Sequence, residues 1–571
     1  MPQGQGWLRV DGVNGNEEVY DSGGNLLATY SNRGGNITNS IQGGGYALTD
    51  QYGRSIQFIS GSNGLIQSVT GPDGYSSQIS YDGINNLKTV TWTDSGAFVQ
   101  LNYADSHTWA LTGVVDENHS QLSDGIQFAT FDYDVDGRAV DTQLAGGVGH
   151  YSVTYSQPPF KSVSDLYDAT VNAIWETSKW ISPVSPSITL PNGQQSVLSI
   201  FDLNGSPAES GQTQPPGSGC TAATSAQTYD STTSALTSYD DFDGNRTCYG
   251  IDQVRGLRLE ILEGLPGGTS GKACPANLAT YVPSPADSVH PERKTTTVWH
   301  PDWALKAQEA VPKKITTWVY NGQPDPIGGG TASCAPTAPA LPDGKPIAVV
   351  CSRYEQATTD ATGALGVSAT VTGVARKWSY SYNQFGQVLT ETAPKQSATD
   401  SLSHTTTYAY YADTSITSNV GHTIGDLQSV TNPLGQVTTF TSYDGAGRLL
   451  SSTDANGAVT TQTYWPRGWI KTQTLAPVVG AAQTTSYAYY PTGLLQTVTM
   501  PDNSMLNYAY DDAHRLTDVT DAAGNKIHYV LDNVGNRTSE QVTDASGNLA
   551  STVSRVFDAL NRVQTQTGLI Q

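Results

Sequence analysis

The sequence lacks any long apolar run, so no membrane span is expected. None of its 571 residues belongs to a stretch near the roughly 18–20 apolar residues that a spanning helix needs. The first residues, 1–4, contain neither the charged region nor the apolar region of a signal peptide. Because the chain begins and ends within patterned segments, we expect it to be a piece of a longer protein.

Basic residues are also scarce. The sequence has 29 Lys and Arg against 51 Asp and Glu, a net charge of −22. Nucleic-acid binding needs clustered cations, so no nucleic-acid partner is expected. Only 14% of the residues are charged, which argues against disorder through self-repulsion. The acidity favours an outward-facing extracellular surface or a cationic cargo without deciding between them.

Methionine is rare, whereas residues typical of strands and turns are abundant. There are 3 Met against 58 Gly, 30 Tyr and 11 Trp. Aromatic residues suit pleated sheets and glycine suits turns, so the composition predicts an all-β chain. At roughly 150 residues per domain, the length predicts three or four domains or a repeat array.

The five cysteines show no metal-binding spacing. None forms a CxxC pair or has a suitably spaced histidine, so no metal or cofactor is predicted. The sequence leaves two alternatives open, which are two disulfides with one remaining thiol, as in a secreted protein, or five buried free thiols. The cysteines are Cys220, Cys248, Cys274, Cys334 and Cys351. The disulfide candidates are Cys220, Cys248, Cys334 and Cys351, with pairing left open.

A repeat of 21 to 26 residues runs through the C-terminal half. An aromatic or apolar anchor is followed, four positions later, by a residue that tolerates a left-handed backbone. The spacing therefore predicts a chain reversal after each anchor. The anchors and their turn residues are Tyr443 and Gly447, Tyr464 and Gly468, Tyr489 and Gly493, Tyr510 and His514, Leu531 and Gly535, and Phe557 and Asn561, with Tyr133 and Gly137 and Tyr382 and Gly386 upstream.

A second turn follows about ten residues after the first. The segments 454–457, 521–524 and 544–547 each have Asp first and Gly fourth, which is typical of type I turns. Six or seven residues remain between successive turns, the length of a strand. Both faces of these strands carry many Thr, Gln and Ser residues. This pattern favours a large curved sheet around a wet interior over a dense two-layer sandwich.

The residues Tyr443, Asp444, Gly447, Arg448 and Leu449 resemble the signature of the YD-repeat, or Rhs, family. Further likenesses to this signature begin at Tyr133, Tyr510, Leu531 and Phe557. The resemblance covers roughly residues 20–160 and 230–571.

The resemblance implies a strip of consecutive β-hairpins wound into a curved or spiral hollow shell, and both a complete and an incomplete shell remain open here. Members include bacterial Rhs proteins, the C components of insecticidal toxin complexes, and teneurin-like shells. In the first two, the shell encloses a toxic C-terminal domain. Residues 325–328 carry the letters of the family's Asp-Pro-x-Gly core signature, but we interpret them as a loop because repeats continue after them. The plug, cleavage site and toxin domain are expected to be absent from this chain.

Four segments are predicted along one continuous sheet. Residues 1–160 form an N-terminal repeat block, and residues 161–235 form an irregular Pro-rich insertion. Within that insertion, Asp165–Trp180 fits one amphipathic helix, with an insertion hairpin as the alternative. Residues 236–375 form a loop-rich, Cys-containing repeat segment, and residues 376–571 form the regular repeat block.

One motif resembles the start of a calcium loop. Asp132, Asp134 and Asp136 precede Gly137 as in DxDxDG, but position 12 is Gln143 in place of the required Glu. We therefore favour a plain turn. HExxH and GxSxG motifs are absent, so no catalytic residue is predicted and no enzyme activity is expected.

The sequence thus predicts a non-enzymatic, secreted or cell-surface shell that encapsulates or presents a C-terminal toxin or another polypeptide. The alternative is an adhesion or carbohydrate-binding module that recognises a glycan or a cell-surface protein. For that alternative, flat indole rings would stack on sugars. The candidate rings are Trp299, Trp303, Trp318, Trp465 and Trp469.

Overall fold

The computed structural model describes residues 6–42, 44–104, 108–122, 124–135, 137–155, 167–168, 173–174, 185–204, 206–268, 271–284, 291–395, 397 and 400–570. Helical structure is confined there to α1 (Glu117–Leu122) and two short 3-10 turns, Ala145–Gly147 and Gly366–Ser368. No helix within these ranges has the length and apolar character to cross a membrane.

Strands make up the rest of the regular structure. In chain order they are β1 (Leu8–Asp11), β2 (Asn16–Tyr20), β3 (Leu26–Ser31), β4 (Asn36–Gln42), β5 (Gly45–Asp50), β6 (Ser55–Ser60), β7 (Ile66–Thr70), β8 (Ser76–Tyr81), β9 (Leu87–Trp92), β10 (Phe98–Tyr103), β11 (Leu111–Val115), β12 (Ala129–Tyr133), β13 (Ala139–Leu144), β14 (Val148–Thr154), β15 (Tyr167–Asp168), β16 (Ala173–Ile174), β17 (Ser187–Thr189), β18 (Gln195–Leu203), β19 (Ser206–Gln214), β20 (Ala223–Thr224), β21 (Ala226–Tyr229), β22 (Leu236–Asp240), β23 (Asn245–Ile251), β24 (Arg258–Pro266), β25 (Arg293–Trp299), β26 (Lys306–Val311), β27 (Lys314–Tyr320), β28 (Val350–Thr358), β29 (Val371–Tyr382), β30 (Val388–Thr392), β31 (Thr405–Tyr410), β32 (Ser415–Thr417), β33 (Val420–His422), β34 (Leu427–Thr431), β35 (Val437–Tyr443), β36 (Leu449–Thr453), β37 (Val459–Tyr464), β38 (Ile470–Ala476), β39 (Gln483–Tyr489), β40 (Leu495–Thr499), β41 (Met505–Tyr510), β42 (Leu516–Asp521), β43 (Lys526–Leu531), β44 (Arg537–Thr543), β45 (Leu549–Phe557) and β46 (Val563–Ile570).

These strands form two long antiparallel ribbons in which almost every strand pairs with the next one along the chain. The first ribbon holds 18 strands, β1 to β14 and β17 to β20, and the second holds 26, β21 to β46. Between them, the backbone N–H of Ser225 donates to the carbonyl oxygen of Gln212 on β19 at 2.9 Å. Consecutive hairpins therefore pair along each ribbon, and the predicted all-β hairpin repeat is confirmed.

The ribbon is a single layer rather than a packed sandwich. The accessible surface of the chain is 30555 Å², whereas a compact monomer of 60.5 kDa would expose about 19,500 Å². Most strand residues are half-buried and few are fully buried, as in β37 and β38. Such a sheet is held by its backbone hydrogen bonds and cross-strand pairs more than by a buried interior.

The largest hydrophobic cluster lies where a long loop, residues 321–349, folds back on the strands. Trp303, Tyr320 and Ile347 are buried in it, together with the Cys334–Cys351 disulfide. This loop also contacts the first ribbon, because the N–H of Ala348 donates to the carbonyl oxygen of Asn32 at 2.5 Å. The cluster therefore fixes the two ribbons against each other.

The helix considered for Asp165–Trp180 lies largely outside the described residues. The two described pairs within it, Tyr167–Asp168 and Ala173–Ile174, are antiparallel strands. This is the arrangement of the alternative, an insertion hairpin.

Candidate functional site

The repeat motif forms a five-residue turn that its own side chains close. Asp444 Oδ1 accepts hydrogen bonds from the N–H groups of Ala446 at 3.0 Å and Arg448 at 2.9 Å. Arg448 Nε donates to the other oxygen, Oδ2, at 2.5 Å. Gly447 has a φ of 80°, so the turn needs a residue without a Cβ penalty. The Asp, Gly and Arg of the motif are thus all used to shape the turn.

The other predicted turn residues occupy the same left-handed region. Their φ values are 77° at Gly137, 76° at Gly386, 87° at Gly468, 87° at Gly493 and 100° at Gly535, and His514 and Asn561 have 63° and 60°.

The motif tyrosines lie at strand ends, next to the start of the preceding strand. The hydroxyl of Tyr443 donates to the carbonyl oxygen of Leu427 at 2.6 Å, and that of Tyr464 donates to Leu449 at 2.9 Å. Burial raises the pKa of Tyr382 to about 12, so its hydroxyl remains a donor, here to Val350 at 2.8 Å. These bonds fasten each turn to the strand behind it.

The remaining motif tyrosines use similar or purely aromatic contacts. Tyr133 donates to the carbonyl oxygen of Leu111 at 3.0 Å. Tyr489 packs at a tilt on Trp469, with ring centroids 5.4 Å apart, and Tyr510 meets Tyr490 edge-on at 6.0 Å.

The turns that follow the motif tyrosines and the second turns about ten residues later fall on opposite edges of the second ribbon, because the strand direction alternates. The turns after Tyr443, Tyr464 and Tyr510 face the first ribbon, and 454–457 and 521–524 lie on the other edge. We call the contact line between the two ribbons the seam. In order along the chain it joins Gly12 to Ala304, Glu17 to Asp343, Asn32 to Ala348, Gly34 to Gly386, Arg54 to Asp426, Asp73 to Arg448, Glu117 to Arg467, Asp116 to His514, Gly149 to Asn533, Asn192 to Ala559 and Ser218 to Asp558.

The seam brings together residues far apart in the chain. Its side-chain hydrogen bonds span between 326 and 398 residues. Because these partners advance together along both ribbons, the strip curves back until one coil lies on the next. The curved shell that was predicted is therefore present in the described residues.

Opposite charges meet at the centre of the seam. Arg448 Nη2 lies 2.8 Å from Asp73 Oδ2 while Nε holds its own turn. Arg467, which is only 9% exposed, contacts Glu117 at 3.3 Å. The Arg467 guanidinium also lies 5.2 Å from the ring centroid of Trp92. Most of these cations stand on the second ribbon and the carboxylates on the first.

A buried aspartate with two histidines continues the seam. Asp116 Oδ2 lies 2.6 Å from Nε2 of His514 across the seam, and Oδ1 lies 2.9 Å from Nδ1 of His119. His514 also stacks on Phe128, with centroids 4.2 Å apart. Burial raises the pKa of Asp116, but the hydrogen bonds from His514 and His119 outweigh it and leave that pKa below its ordinary value.

At its N-terminal end, the seam contains a fully buried glutamate. Glu17 is 0% exposed, and its Oε2 accepts the N–H of Asp343 at 3.0 Å. Its Oε1 has no hydrogen-bond partner. Burial raises the pKa of Glu17 to about 7. Asp343 pairs instead with Lys345 at 2.8 Å.

Close backbone packing occurs beside it. A Cβ on Gly386 would lie 2.4 Å from the carbonyl oxygen of Arg33, and one on Gly34 would lie 3.1 Å from the Cα of Gly386. Here glycine is needed for contact between coils as well as for its own turn.

The disulfide candidates need a correction. Cys248 pairs with Cys274 and Cys334 pairs with Cys351, whereas Cys220 is a free thiol. Cys220 was therefore a wrong candidate and Cys274 was missed. The Cys220 sulfur lies at the seam instead, 3.4 Å from Nη2 of Arg562.

In the motif that resembles a calcium loop, Asp134 is used to hold the turn. Asp134 accepts hydrogen bonds from the Arg138 backbone at 3.0 Å and from its Nε at 2.5 Å, and Asp136 lies outside the described residues. Across the part of the chain that is described, no group of three His, Cys, Asp or Glu residues is arranged to hold a metal.

The five tryptophans considered as sugar-stacking rings do not form one surface. Trp303 is 1% exposed within the main cluster and Trp318 packs against it. Trp299 Nε1 donates to the carbonyl oxygen of Arg258 at 2.9 Å. Trp465 is 38% exposed, but the Lys471 ammonium lies 4.5 Å from its ring centroid. Trp469 stacks beneath Arg467 at 4.6 Å.

Sequence reasoning did not single out the acidic partners on the first ribbon. Asp73 looks like any turn aspartate, and Asp116 and Glu117 precede or begin a short helix outside the repeat. An available signal was the asymmetry of charge, with Arg and His in the motif turns and carboxylates in the turns of residues 50–120.

Comparison with solved structures finds similar chains of low identity. A crystal structure of TcdB2-TccC3-TEV is 13% identical over 96% of this chain and 23% of that one, with a TM-score of 0.38. A crystal structure of TcdB2-TccC3 gives 13% identity, 97% and 24% coverage, and a TM-score of 0.37. A structure of the Photorhabdus luminescens Tc holotoxin pore is 13% identical over 95% of this chain and 23% of that one, with a TM-score of 0.33. This chain spans about a quarter of the length of those chains.

Among curated proteins, no sequence matches this chain. The family model described as RHS Repeat matches residues 423–459, 443–477 and 510–549, the stretch whose motif turns form the centre of the seam. Residues 423–477 and 510–549 therefore match the repeat of the YD-repeat, or Rhs, family that the sequence resemblance predicted.

Proposed function

We propose that this chain is a shell segment that encloses or presents a polypeptide cargo and that it acts without catalysis. The observation that carries this proposal is the single-layer ribbon that returns on itself at the seam and exposes 30555 Å². A wall of this kind separates two compartments of solvent instead of burying a core. The family resemblance makes a C-terminal toxin or another C-terminal polypeptide the cargo that we propose.

The chemistry of the strands supports a holding role. Neighbouring strands such as β37 and β38 carry Thr and Gln side chains, which offer hydrogen bonds without a strongly apolar surface. A cargo chain would then meet little that drives its collapse or its adhesion to the wall. The turn carboxylates, such as Asp444, are engaged by backbone N–H groups and arginines, which supports a structural role over acid–base chemistry.

An exported location, secreted or at the cell surface, forms part of the proposal. Two disulfides, Cys248–Cys274 and Cys334–Cys351, support it because disulfides persist mainly in oxidising compartments.

The test is small-angle scattering combined with protease protection. A solid protein of this length would have a radius of gyration of about 25 Å, and we expect a clearly larger value. A small reporter domain fused after Gln571 should resist protease in the parent chain. It should be digested in Arg467→Glu, which breaks the seam, but not in Asn456→Glu, at the same turn position on the other edge. Equal digestion in all three chains would refute enclosure.

A further inference from the structure

Among the motif turns, the one after Tyr510 carries a titratable side chain at the left-handed position. His514 has a φ of 63°, in the same region as Gly447 at 80° and Gly535 at 100°. A Cβ is strained in this region, although His tolerates it better than most residues. The ring reaches across the seam, where its Nε2 lies 2.6 Å from Oδ2 of Asp116. The cost in the turn is therefore offset by a contact between the ribbons.

His514 belongs to a group of four ionisable side chains that straddles the seam. Asp116 and His119 belong to the segment between β11 and β12 of the first ribbon, and Asp512 and His514 to a turn of the second. We call these four residues the histidine cluster. Nδ1 of His119 lies 2.9 Å from Oδ1 of Asp116, and its Nε2 lies 3.5 Å from Oδ1 of Asp512. Each histidine thus faces a carboxylate of the opposite ribbon.

The hydrogen-bond pattern fixes how many protons His119 needs. An ionised carboxylate can only accept, and Asp116 is ionised because its hydrogen bonds hold its pKa below the ordinary value. Nδ1 of His119 must therefore donate to Asp116. Its Nε2 can donate to Asp512 only when the ring carries a second proton. The contact of His119 with the second ribbon is an ion pair only in the protonated form.

The charge balance of the histidine cluster changes in the same sense. With both rings protonated, two positive charges offset the carboxylates of Asp116 and Asp512. With both rings neutral, two negative charges remain across the seam. Asp116 and His119 are each only 4% exposed, so water screens their interactions weakly.

Histidine changes its charge between about pH 5 and 8. We propose that the histidine cluster is a pH-sensitive latch, which holds the two ribbons together in mildly acidic solution and weakens the seam above neutral pH.

The charged neighbours of the histidine cluster are already paired. Glu117, next along α1, lies 3.3 Å from Arg467, and Asp511 accepts a hydrogen bond from Nε of Arg515 at 2.8 Å. Two further ionisable groups lie on adjoining segments and have backbone partners: Tyr103 on β10, which donates to Leu87 at 2.9 Å, and Asp124, which accepts the N–H of Ile126 at 3.0 Å. The histidines are therefore the groups that respond near neutral pH.

Asp116 sets an acid limit to the latch. Its pKa in the folded chain lies below the ordinary value of 3.8. Its contribution to stability is therefore present above about pH 3.8 and is lost as the pH falls through the folded value. The ion pair of His119 with Asp512 acts in the opposite direction, because it needs a protonated ring and is lost as the pH rises. The seam should be tightest between about pH 4 and 6.

The experiment is hydrogen exchange of the full chain at pH 5.5 and 8, read by mass spectrometry and corrected for the intrinsic effect of pH on exchange. Peptides covering 117–122 and 511–515 report on the histidine cluster. In the parent chain their protection should fall by about tenfold between pH 5.5 and 8.

Two variants remove the latch by different routes, and each should reduce this change to about twofold or less. His514→Asn keeps a residue that tolerates the left-handed region, as Asn561 does at 60°. Asp512→Asn removes a carboxylate that is 59% exposed, so the fold should be kept. His528→Gln is the matched control, because His528 bonds Asp518 of its own ribbon at 2.9 Å, and it should behave like the parent. Thermal melting checks that each variant is folded.

Three results would overturn the inference. They are equal protection at the two pH values in the parent chain, greater protection at pH 8, or a tenfold change that persists in both variants. Glu17 also responds to pH, but it lies at the N-terminal end of the seam, where peptides from the loop 321–349 report on it separately. None of these results bears on the radius of gyration or on cargo protection, so the shell proposal is tested independently.

Discussion

Arg448 Nη2 lies 2.8 Å from Oδ2 of Asp73, a residue 375 positions earlier in the chain. The same guanidinium holds Asp444 in its own turn. One side chain therefore shapes a repeat and also fastens one coil to the next. The predictions below separate these two roles.

Removing the carboxylate partner should weaken the seam more than it weakens a turn. Asp73→Asn is expected to lower stability by about 1 kcal/mol, because the pair is only partly exposed to water. Asp502→Asn, at the same third turn position on the other edge of the second ribbon, is the matched control and should cost less. The comparison is made by urea denaturation. The difference should shrink in 1 M salt, where screening is strong, and a salt-independent difference would contradict the assignment.

At the seam, glycine should contribute to stability for a second reason besides its positive φ angle. Gly386→Ala and Gly435→Ala both place a Cβ at positive φ, 76° and 80°, which costs about 1–2 kcal/mol. Only the Cβ at Gly386 would also meet backbone, 2.4 Å from Arg33, whereas nothing lies within 4 Å at Gly435. We therefore expect the larger shift in the denaturation midpoint for Gly386→Ala. Equal shifts would mean that the coils do not touch there.

Glu17 should make the seam sensitive to pH. Its pKa in the folded chain, about 7, is above the ordinary value of 4.5. A raised pKa means that its contribution to stability is fully present below about pH 4.5 and is lost as the pH rises through about 7. At pH 8 the buried carboxylate is charged and Oε1 has no partner.

Glu17→Gln should therefore raise the melting temperature at pH 8 and change it little at pH 5. Gln keeps an acceptor for the N–H of Asp343 and removes the charge. Glu18→Gln, on the neighbouring residue, serves as the control and should show no such difference. A variant that melts like the parent chain at pH 8 would show that Glu17 is not buried at the seam.

The Cys334–Cys351 disulfide should stabilise the loop that joins the ribbons. It closes a loop with a sequence separation of 17, for which about 3 kcal/mol is expected. Replacing both cysteines by Ala should lower stability by about that amount, whereas Cys220→Ala should change it by about 0.5 kcal/mol or less. Peptide mapping by mass spectrometry under non-reducing conditions checks the pairing. A Cys220-containing disulfide would contradict it.

Local features could be read from the sequence, and contacts between coils could not. The spacing from Tyr443 to Gly447 marks a turn because it reflects the backbone of five neighbouring residues. Nothing local couples Asp73 to Arg448, since their meeting depends on curvature summed over many hairpins. The choice of Cys220 over Cys274 as a disulfide candidate was wrong for the same reason, since the proximity of Cys274 to Cys248 arises from how a loop lies on β23 and β24.

The seam joins turn to turn, so its alignment depends on how many hairpins make up a coil and not on how many residues do. The loop 321–349 is long, yet the contacts on either side of it stay in order. Extra residues in a loop should therefore be tolerated during evolution, whereas gain or loss of one hairpin would move every later turn against a new partner. Relatives should vary in loop length while keeping the hairpin number of each coil.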